Sequence, residues 1–178
     1  MKFRLGMLIA ATSMIAVAAY AAIESGLKPG TSPGAFQVVD VTGPNKGREL
    51  CYRCQYGASP VVAAFINGDA TKASKLIGEI QKIVDAHKAQ NLRSFVVFMG
   101  GPAEKDAILK IAAENKTTIP LTFLPKGTKE GDIAAYKINP EAKNTVLLWK
   151  GMYVKNNFVN VDPAKSADVA KAVDTMLK

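Results

Sequence analysis

The residues best suited to chemistry in this sequence are two cysteines that lie two residues apart. Cys51 and Cys54 are the only 2 cysteines of the 178-residue chain, and Tyr52 and Arg53 lie between them. This spacing allows a disulfide within the motif, and in an oxidising compartment the two cysteines are expected to pair with each other. A lone CxxC pair of this kind is compatible with thiol–disulfide exchange, with a structural disulfide and with metal binding.

Positive charge around the motif favours a reactive pair. Arg53 lies between the cysteines, and Lys46 and Arg48 precede them. Nearby cations stabilise a thiolate, lower the pKa of a cysteine and help disulfide exchange, so Arg53 is the candidate thiolate stabiliser. By analogy with other CxxC sites, Cys51 would be the attacking thiol and Cys54 the resolving one.

The competing interpretation is a structural disulfide. Closing a four-residue loop stabilises the folded state by only about 2 kcal/mol through loop entropy, against about 3 kcal/mol for a fifteen-residue loop. The disulfide would therefore add little stability. It would fix the loop that precedes the next strand. Gly57 and Pro60 disfavour a helix that begins at Cys54, and without such a helix no dipole would assist a thiolate. The sequence leaves both interpretations open.

Metal binding would need ligands beyond the cysteine pair. Two thiolates could hold Cu(I), as in a copper chaperone, if His87 or a methionine joined them. His87 continues the apolar face of a predicted helix, which is typical of a hydrogen-bonded core histidine. Gln55 follows Cys54, so the motif is not the CxxCH of haem attachment, and no second CxxC provides a zinc site. We predict no cofactor and no metal site.

The N-terminus predicts export. Residues 1–4 carry two cations, residues 5–19 carry no charge, and residues 19–21 form a small-x-small cleavage pattern. An apolar run of roughly 15 residues is short for a bilayer, which needs about 20. We therefore interpret residues 1–21 as a cleavable signal peptide and expect a periplasmic or secreted protein with no membrane span after cleavage. The alternative is an uncleaved N-terminal tether at the membrane.

The rest of the chain is predicted to be one linker and one domain. Residues 22–34 are rich in proline, glycine and serine and have few apolar side chains, which predicts a flexible linker ahead of a domain at 35–178. The formal net charge of +8 comes from dispersed cations, which are typical of a solvated surface and argue against a nucleic-acid partner. The expected partners are other exported proteins.

Strands and helices are predicted to alternate along the domain. Apolar runs and turn residues predict strands at 36–41, 61–66, 94–99, 119–124, 144–149 and 153–159, the last two as a hairpin. Helical spacing predicts helices at 70–90, 103–115 and from 163 to the C-terminus, with Asp69 and Asp162 as N-caps. This order predicts an α/β fold, a three-layer sandwich with a mixed central sheet.

Four segments of the chain match a known family in pattern and order. They are PGAFQVVDVTG (33–43), PVVAAFI (60–66), SFVVFMGG (94–101) and TVLLWKGMYVKNNF (145–158). In these segments the chain resembles the thioredoxin-like superfamily, especially its exported thioredoxin-domain and peroxiredoxin-related branch. The resemblance implies a thioredoxin-like sandwich over 35–178 and either thiol–disulfide exchange or a non-catalytic binding module.

The chain departs from that family at the family's active site. There the reactive cysteine follows the central strand at the start of the next helix, where this chain has Asn67-Gly68-Asp69-Ala70. The family's cis-proline precedes the strand that here begins at Asn144, whereas the nearest proline is Pro140. The resemblance therefore implies an empty active-site position, and whether its chemistry transfers depends on where the cysteine pair lies in the fold.

Overall fold

The fold is organised around one mixed sheet. The computed structural model describes residues 22–125 and 132–178, so the predicted signal peptide at 1–21 lies outside the described residues. The strands are β1 (Val38–Asp40), β2 (Glu49–Leu50), β3 (Val61–Ile66), β4 (Arg93–Phe98), β5 (Leu121–Phe123), β6 (Asn144–Lys150) and β7 (Tyr153–Val159). Their order is β2-β1-β5-β4-β3-β6-β7.

The directions of the strands follow from their connections. β3, β4 and β5 are parallel because a helical crossover follows β3 and another follows β4. β6 pairs antiparallel with β3 and forms a hairpin with β7, and β1 closes the other side antiparallel to β5. The short strand β2 pairs only with β1 and was not predicted from the sequence.

Four α-helices are present in the described residues, three of them on one face of the sheet. The helices are α1 (Tyr52–Tyr56), α2 (Ser74–Ala86), α3 (Lys105–Asn115) and α4 (Ala167–Leu177). Short 3₁₀ turns precede α2, α3 and α4, and Asp69 and Asp162 cap the first and last of these turns, as predicted. No helix within residues 22–125 or 132–178 has the length and apolar character needed to cross a membrane.

The strands divide the core into two halves by simple alternation. In β3 the side chains of Val62, Ala64 and Ile66 join the apolar cluster under α2, α3 and α4, which we call face A. Val61, Ala63 and Phe65 join the opposite apolar cluster, which we call face B. This cluster lies under α1 and under the N-terminal segment that contains Leu27 and Phe36. All six β3 residues are buried, which explains their uninterrupted apolar run. The predicted three-layer α/β sandwich is confirmed.

The segment predicted to be a flexible linker differs from that expectation between residues 25 and 31. Leu27 is buried in the face B core, and the Ser25 hydroxyl lies 2.6 Å from that of Thr145. The amide of Gly26 donates to the carbonyl of Lys137. Gly26 has a φ of 85°, and a Cβ there would lie 2.8 Å from the Thr145 side chain. One apolar residue and a few long-range hydrogen bonds therefore suffice to pack this segment, which composition alone did not indicate.

A histidine joins the C-terminal ends of α2 and α4 on face A. His87 Nε2 lies 2.8 Å from an Asp174 carboxylate oxygen, and its Nδ1 lies 2.8 Å from the Ile83 carbonyl. Only the imidazolium donates to both acceptors, since neutral imidazole has a single N–H. The hydrogen bond to Ile83, and then Asp174, raises the pKa of His87.

We expect this contact to make stability depend on pH. The folded-state pKa of His87 is raised, so its contribution is fully present below about pH 6.5, the ordinary histidine pKa, and is lost as pH rises through the folded value. His87→Gln should therefore cost about 0.5 kcal/mol at low pH and less at high pH. Urea unfolding of both proteins across this range tests this, with Asp174→Asn as the matched variant. A cost that stays constant with pH would contradict it.

Candidate functional site

The two cysteines form a disulfide at the start of α1. Their Cα atoms are 5.2 Å apart. Cys51 is the N-cap of α1, and its Sγ accepts a hydrogen bond of 3.0 Å from the backbone amide of Cys54. Cys51 is half-buried, whereas Cys54 is exposed. The sequence predicted that no helix would begin at Cys54. The structure instead has a helix that begins at Tyr52, directly after Cys51, so the prediction that no helix accompanies the pair is wrong.

Side chains of α1 tie the cysteine segment to the body of the domain. The Tyr52 hydroxyl donates to Asp40 at 2.6 Å, and the Tyr56 hydroxyl donates to the Ser94 carbonyl at 3.2 Å. Arg53 Nε donates to the Pro33 carbonyl at 2.8 Å. The segment is therefore held at three points, at Asp40 at the end of β1, at Ser94 in β4 and at Pro33 in the N-terminal segment.

A buried carboxylate receives the first of these bonds. Asp40 is 1% exposed at the end of β1. One of its oxygens accepts from the amide of Gly43 at 2.7 Å, and the other accepts from the amide of Asn45 at 2.8 Å and from Tyr52. Three donors offset the cost of burying this charge. Burial, followed by the bond to Asp40, raises the pKa of Tyr52, so its hydroxyl remains a donor at all physiological pH values.

An aromatic cluster in the face B core packs against α1. The Phe95 ring stacks on Tyr52 at 5.6 Å between ring centroids, contacts Tyr56 at 6.1 Å and meets Trp149 edge-on at 6.0 Å. Burial raises the pKa of Tyr56, which likewise keeps its proton for the bond to Ser94. We call α1 together with these aromatic rings the cysteine platform; it packs on the face B core and carries the disulfide.

Solved structures share this architecture. The chain is similar to a proposed thiol:disulfide interchange protein, DsbE, from Chlorobium tepidum, with a TM-score of 0.68 and 16% identity, over 85% of this chain and 99% of that one. The thioredoxin domain of a thiol-disulfide oxidoreductase from Bacteroides vulgatus gives a TM-score of 0.66 and 14% identity, over 85% and 99%. The fold is thioredoxin-like. A peroxidoxin from Mycobacterium tuberculosis gives 0.61 and 17%, over 84% and 98%.

Sequence comparison adds nothing to this likeness of fold. No family model matches the chain, and no curated protein is significantly similar to it in sequence. The predicted resemblance to the thioredoxin-like superfamily is confirmed at the level of the fold, and the identities of 14–17% carry no more than that.

The cysteine pair does not occupy the usual reactive position of the thioredoxin-like fold. That position follows β3, at Asn67-Gly68-Asp69, and leads into α2 on face A. The pair instead precedes β3, and α1 carries it onto face B, where Tyr52 joins the core. The two places therefore lead to opposite faces of the sheet, and the family's chemistry cannot be carried over position by position.

A cleft remains where the thioredoxin-like fold usually has its cysteine. It has a volume of about 590 Å³, with Ile66 and Leu76 among its apolar lining residues and Asn67 and Asp69 among its polar ones. The Asp69 carboxylate caps the turn before α2, and its hydrogen bonds to Thr71 lower its pKa. Because both cysteines lie elsewhere, this cleft offers no thiol for the family's reaction.

The structure gives Arg53 a role that the sequence did not indicate. Its Nε holds the Pro33 carbonyl, so this nitrogen fixes the N-terminal segment beside the cysteines. Its predicted action as a thiolate stabiliser stays a prediction.

His87, the histidine of the predicted copper ligand set, does not lie beside the cysteine pair. His87 lies at the end of α2 on face A, with both ring nitrogens facing Ile83 and Asp174, whereas the cysteines lie on face B. Within the described ranges, no group of three histidine, cysteine, aspartate or glutamate side chains is placed to hold a metal ion.

Sequence reasoning missed the residues that position the pair. These residues are Asp40, Tyr52 and Tyr56. Two tyrosines at i and i+4, with a carboxylate in the predicted strand at 36–41, are the signal that could have indicated a short anchored helix. The turn-rich segment after Asp40 was recognised, but only as a connection. It is the loop whose amides at Gly43 and Asn45 donate hydrogen bonds to the buried carboxylate of Asp40.

Proposed function

We propose that the protein carries out thiol–disulfide exchange through the Cys51–Cys54 pair, at a position displaced from that of the thioredoxin-like enzymes. The observation that carries this proposal is the exposed Cys54 joined to a Cys51 sulfur that already accepts a backbone amide. A hydrogen bond of this kind favours the thiolate over the thiol. Solved structures of the same fold include proteins named for thiol:disulfide interchange and thiol-disulfide oxidoreduction, which supports the same reaction class.

The reaction is a two-electron exchange between a dithiol of the partner and the Cys51–Cys54 disulfide. A thiolate of a partner attacks one sulfur of the pair, the Cys51–Cys54 bond breaks, and the other cysteine leaves as a thiolate. A second partner thiol then attacks the mixed disulfide, so the partner leaves with a new disulfide and the pair remains as a dithiol. The two electrons pass from the partner to the pair, and the protons of the two partner thiols pass to the solvent or to the two cysteines.

The partners and the compartment belong to the same proposal. We propose that residues 1–21 are a signal peptide and that the protein works in the periplasm or as a secreted protein on other exported proteins. An oxidising compartment would keep the pair as the disulfide that the structure contains. Amino-terminal sequencing of the protein recovered outside the cytoplasm tests this, because cleavage after residue 21 is expected.

The reduction potential of the pair tests the proposed exchange. We expect a value above about −300 mV, in the range of exchanging disulfides, together with catalysis of insulin reduction when dithiothreitol supplies the electrons to the pair. The variant with both cysteines changed to serine should fold and be inactive. A potential below about −300 mV without reductase activity would instead support the second candidate, a non-catalytic thioredoxin-like binding module with a structural disulfide. The three anchors of α1 are the observation that favours that candidate.

A further inference from the structure

We infer that exchange takes place at the Cys54 sulfur and that Cys51 is the leaving thiolate, which is the reverse of the order expected by analogy with other CxxC sites. This inference rests on the proposed exchange and concerns its order alone. The two sulfurs of a disulfide are chemically equivalent until their surroundings distinguish them. Here their accessibility and their hydrogen bonds differ, and both differences point to the same order.

The first difference is accessibility. Tyr52 and Tyr56 lie four residues apart, so their side chains share the face of α1 that packs on Phe95. Cys54 is two residues from each tyrosine, and two residues turn a helix through about 200°, which places Cys54 on the opposite, outward side. Cys54 is accordingly exposed, whereas Cys51 is half-buried where the chain leaves β2. A partner sulfur that approaches the protein therefore reaches Cys54 first.

The second difference is the hydrogen bond at sulfur. Cys51 Sγ accepts the backbone amide of Cys54 at 3.0 Å. When a partner thiolate attacks Cys54, the electron pair of the broken S–S bond passes to Cys51, where this amide already points. A hydrogen bond to a charged acceptor is stronger than one to a neutral acceptor, and a leaving thiol of lower pKa leaves faster.

The step therefore balances with groups that the protein holds. The partner thiolate forms a bond to Cys54 Sγ while the bond between Cys54 and Cys51 breaks, and Cys51 becomes the thiolate. In the second half, another thiol of the partner attacks the partner sulfur of the mixed disulfide and releases Cys54 as a thiol. The oxidant throughout is the protein's own disulfide.

Arg53 makes the order directly measurable. It lies between the two cysteines, so trypsin separates Cys51 and Cys54 into different peptides. The oxidised protein is mixed briefly with limiting reduced glutathione, quenched with acid, treated with N-ethylmaleimide and digested for mass spectrometry. We expect glutathione on Cys54 and maleimide on Cys51, in about tenfold excess over the reverse pattern. The reason is that the hydrogen bond from the Cys54 amide stabilises Cys51, and not Cys54, as the leaving thiolate.

Single-cysteine variants provide an independent measurement. Cys54→Ser keeps the backbone amide at position 54 and leaves Cys51 free, and Cys51→Ser leaves Cys54 free. The pH dependence of alkylation should give Cys51 the lower thiol pKa, by about one unit. Equal pKa values, or glutathione on Cys51, would overturn the order and leave the proposed function standing. If neither sulfur of the wild-type disulfide takes up glutathione, exchange itself fails, and the proposed function fails with it.

Discussion

Replacing Asp40 by alanine is expected to lower the free energy of unfolding by about 3 kcal/mol, because a single carboxylate satisfies three donors and each buried donor left without a partner costs about 1–3 kcal/mol. Tyr52 is the donor that matters most, since its side chain is 1% exposed and water does not easily replace its partner. Gly43 and Asn45 are half-buried, so water can partly satisfy their amides. Guanidinium unfolding with the disulfide intact measures the loss.

Two matched variants separate the parts of this effect. Tyr52→Phe removes one hydrogen bond and should cost about 1 kcal/mol, since the carboxylate keeps its two amide donors. Asp40→Asn keeps an acceptor oxygen but turns an NH₂ group toward donors. Its cost in unfolding free energy should therefore lie between the costs of Tyr52→Phe and Asp40→Ala. If Asp40→Ala costs no more than Tyr52→Phe, the carboxylate does not organise the loop, and this account of the anchor is wrong.

The same variants connect the anchor with the proposed chemistry. Tyr52 directly follows Cys51 and is the first residue of α1. The hydrogen bond from Tyr52 to Asp40 therefore holds the start of the helix, where the Cys54 amide donates to the Cys51 sulfur. In Asp40→Ala the disulfide should therefore be reduced faster by dithiothreitol than in wild type under conditions in which both proteins remain folded. Asp85→Ala, at an exposed carboxylate on α2, provides the control and should not change that rate.

The central strands could be predicted because the sequence records their burial locally. β3 is an uninterrupted apolar run, and in β4 four apolar residues follow Arg93 and Ser94; all of these apolar residues are buried in the structure. The amphipathic helix α2 and the caps at Asp69 and Asp162 were predictable for the same reason, since period and capping are properties of neighbouring residues. These elements could be predicted because their signals lie within about fifteen neighbouring residues.

The cysteine platform could not be predicted because its stability is not local. A five-residue helix is far too short to be stable by itself. α1 exists because Tyr52, Arg53 and Tyr56 bond to Asp40, Pro33 and Ser94, which lie 12, 20 and 38 residues away in sequence. Leu27 escaped recognition in the same way, because its burial depends on the hydrogen bonds that the segment makes with distant loops. Gly57 is the C-cap of α1, but the signal for the start of the helix is tertiary.

The displaced position of the pair has a physical consequence for the platform. At the usual position of the thioredoxin-like fold, a long helix such as α2 would carry the cysteines; α2 has 13 residues and packs its apolar side on face A. Here a helix of 5 residues carries them, and the aromatic cluster of face B takes over the packing. The geometry of the disulfide should therefore depend on that cluster, and Phe95 contacts both tyrosines of α1.

Truncating Phe95 to alanine tests this dependence, and Phe98→Ala is its matched control. Both phenylalanines lie on β4 and are fully buried, but Phe95 belongs to face B under α1 and Phe98 belongs to face A. Each truncation should cost about 3–5 kcal/mol of unfolding free energy, through lost burial and the cavity left behind. Only Phe95→Ala removes the ring on which Tyr52 stacks.

Local hydrogen exchange distinguishes the two phenylalanine variants, whose global costs should be similar. Amides in α1 and at Cys54 should exchange faster in Phe95→Ala than in Phe98→Ala at equal global stability, adjusted with urea, because only the first loses the support of the helix. The Cys51–Cys54 disulfide should be reduced faster in the same variant. If α1 exchanges equally in both, the three hydrogen-bonded anchors hold the pair by themselves, and the aromatic cluster contributes only to global stability.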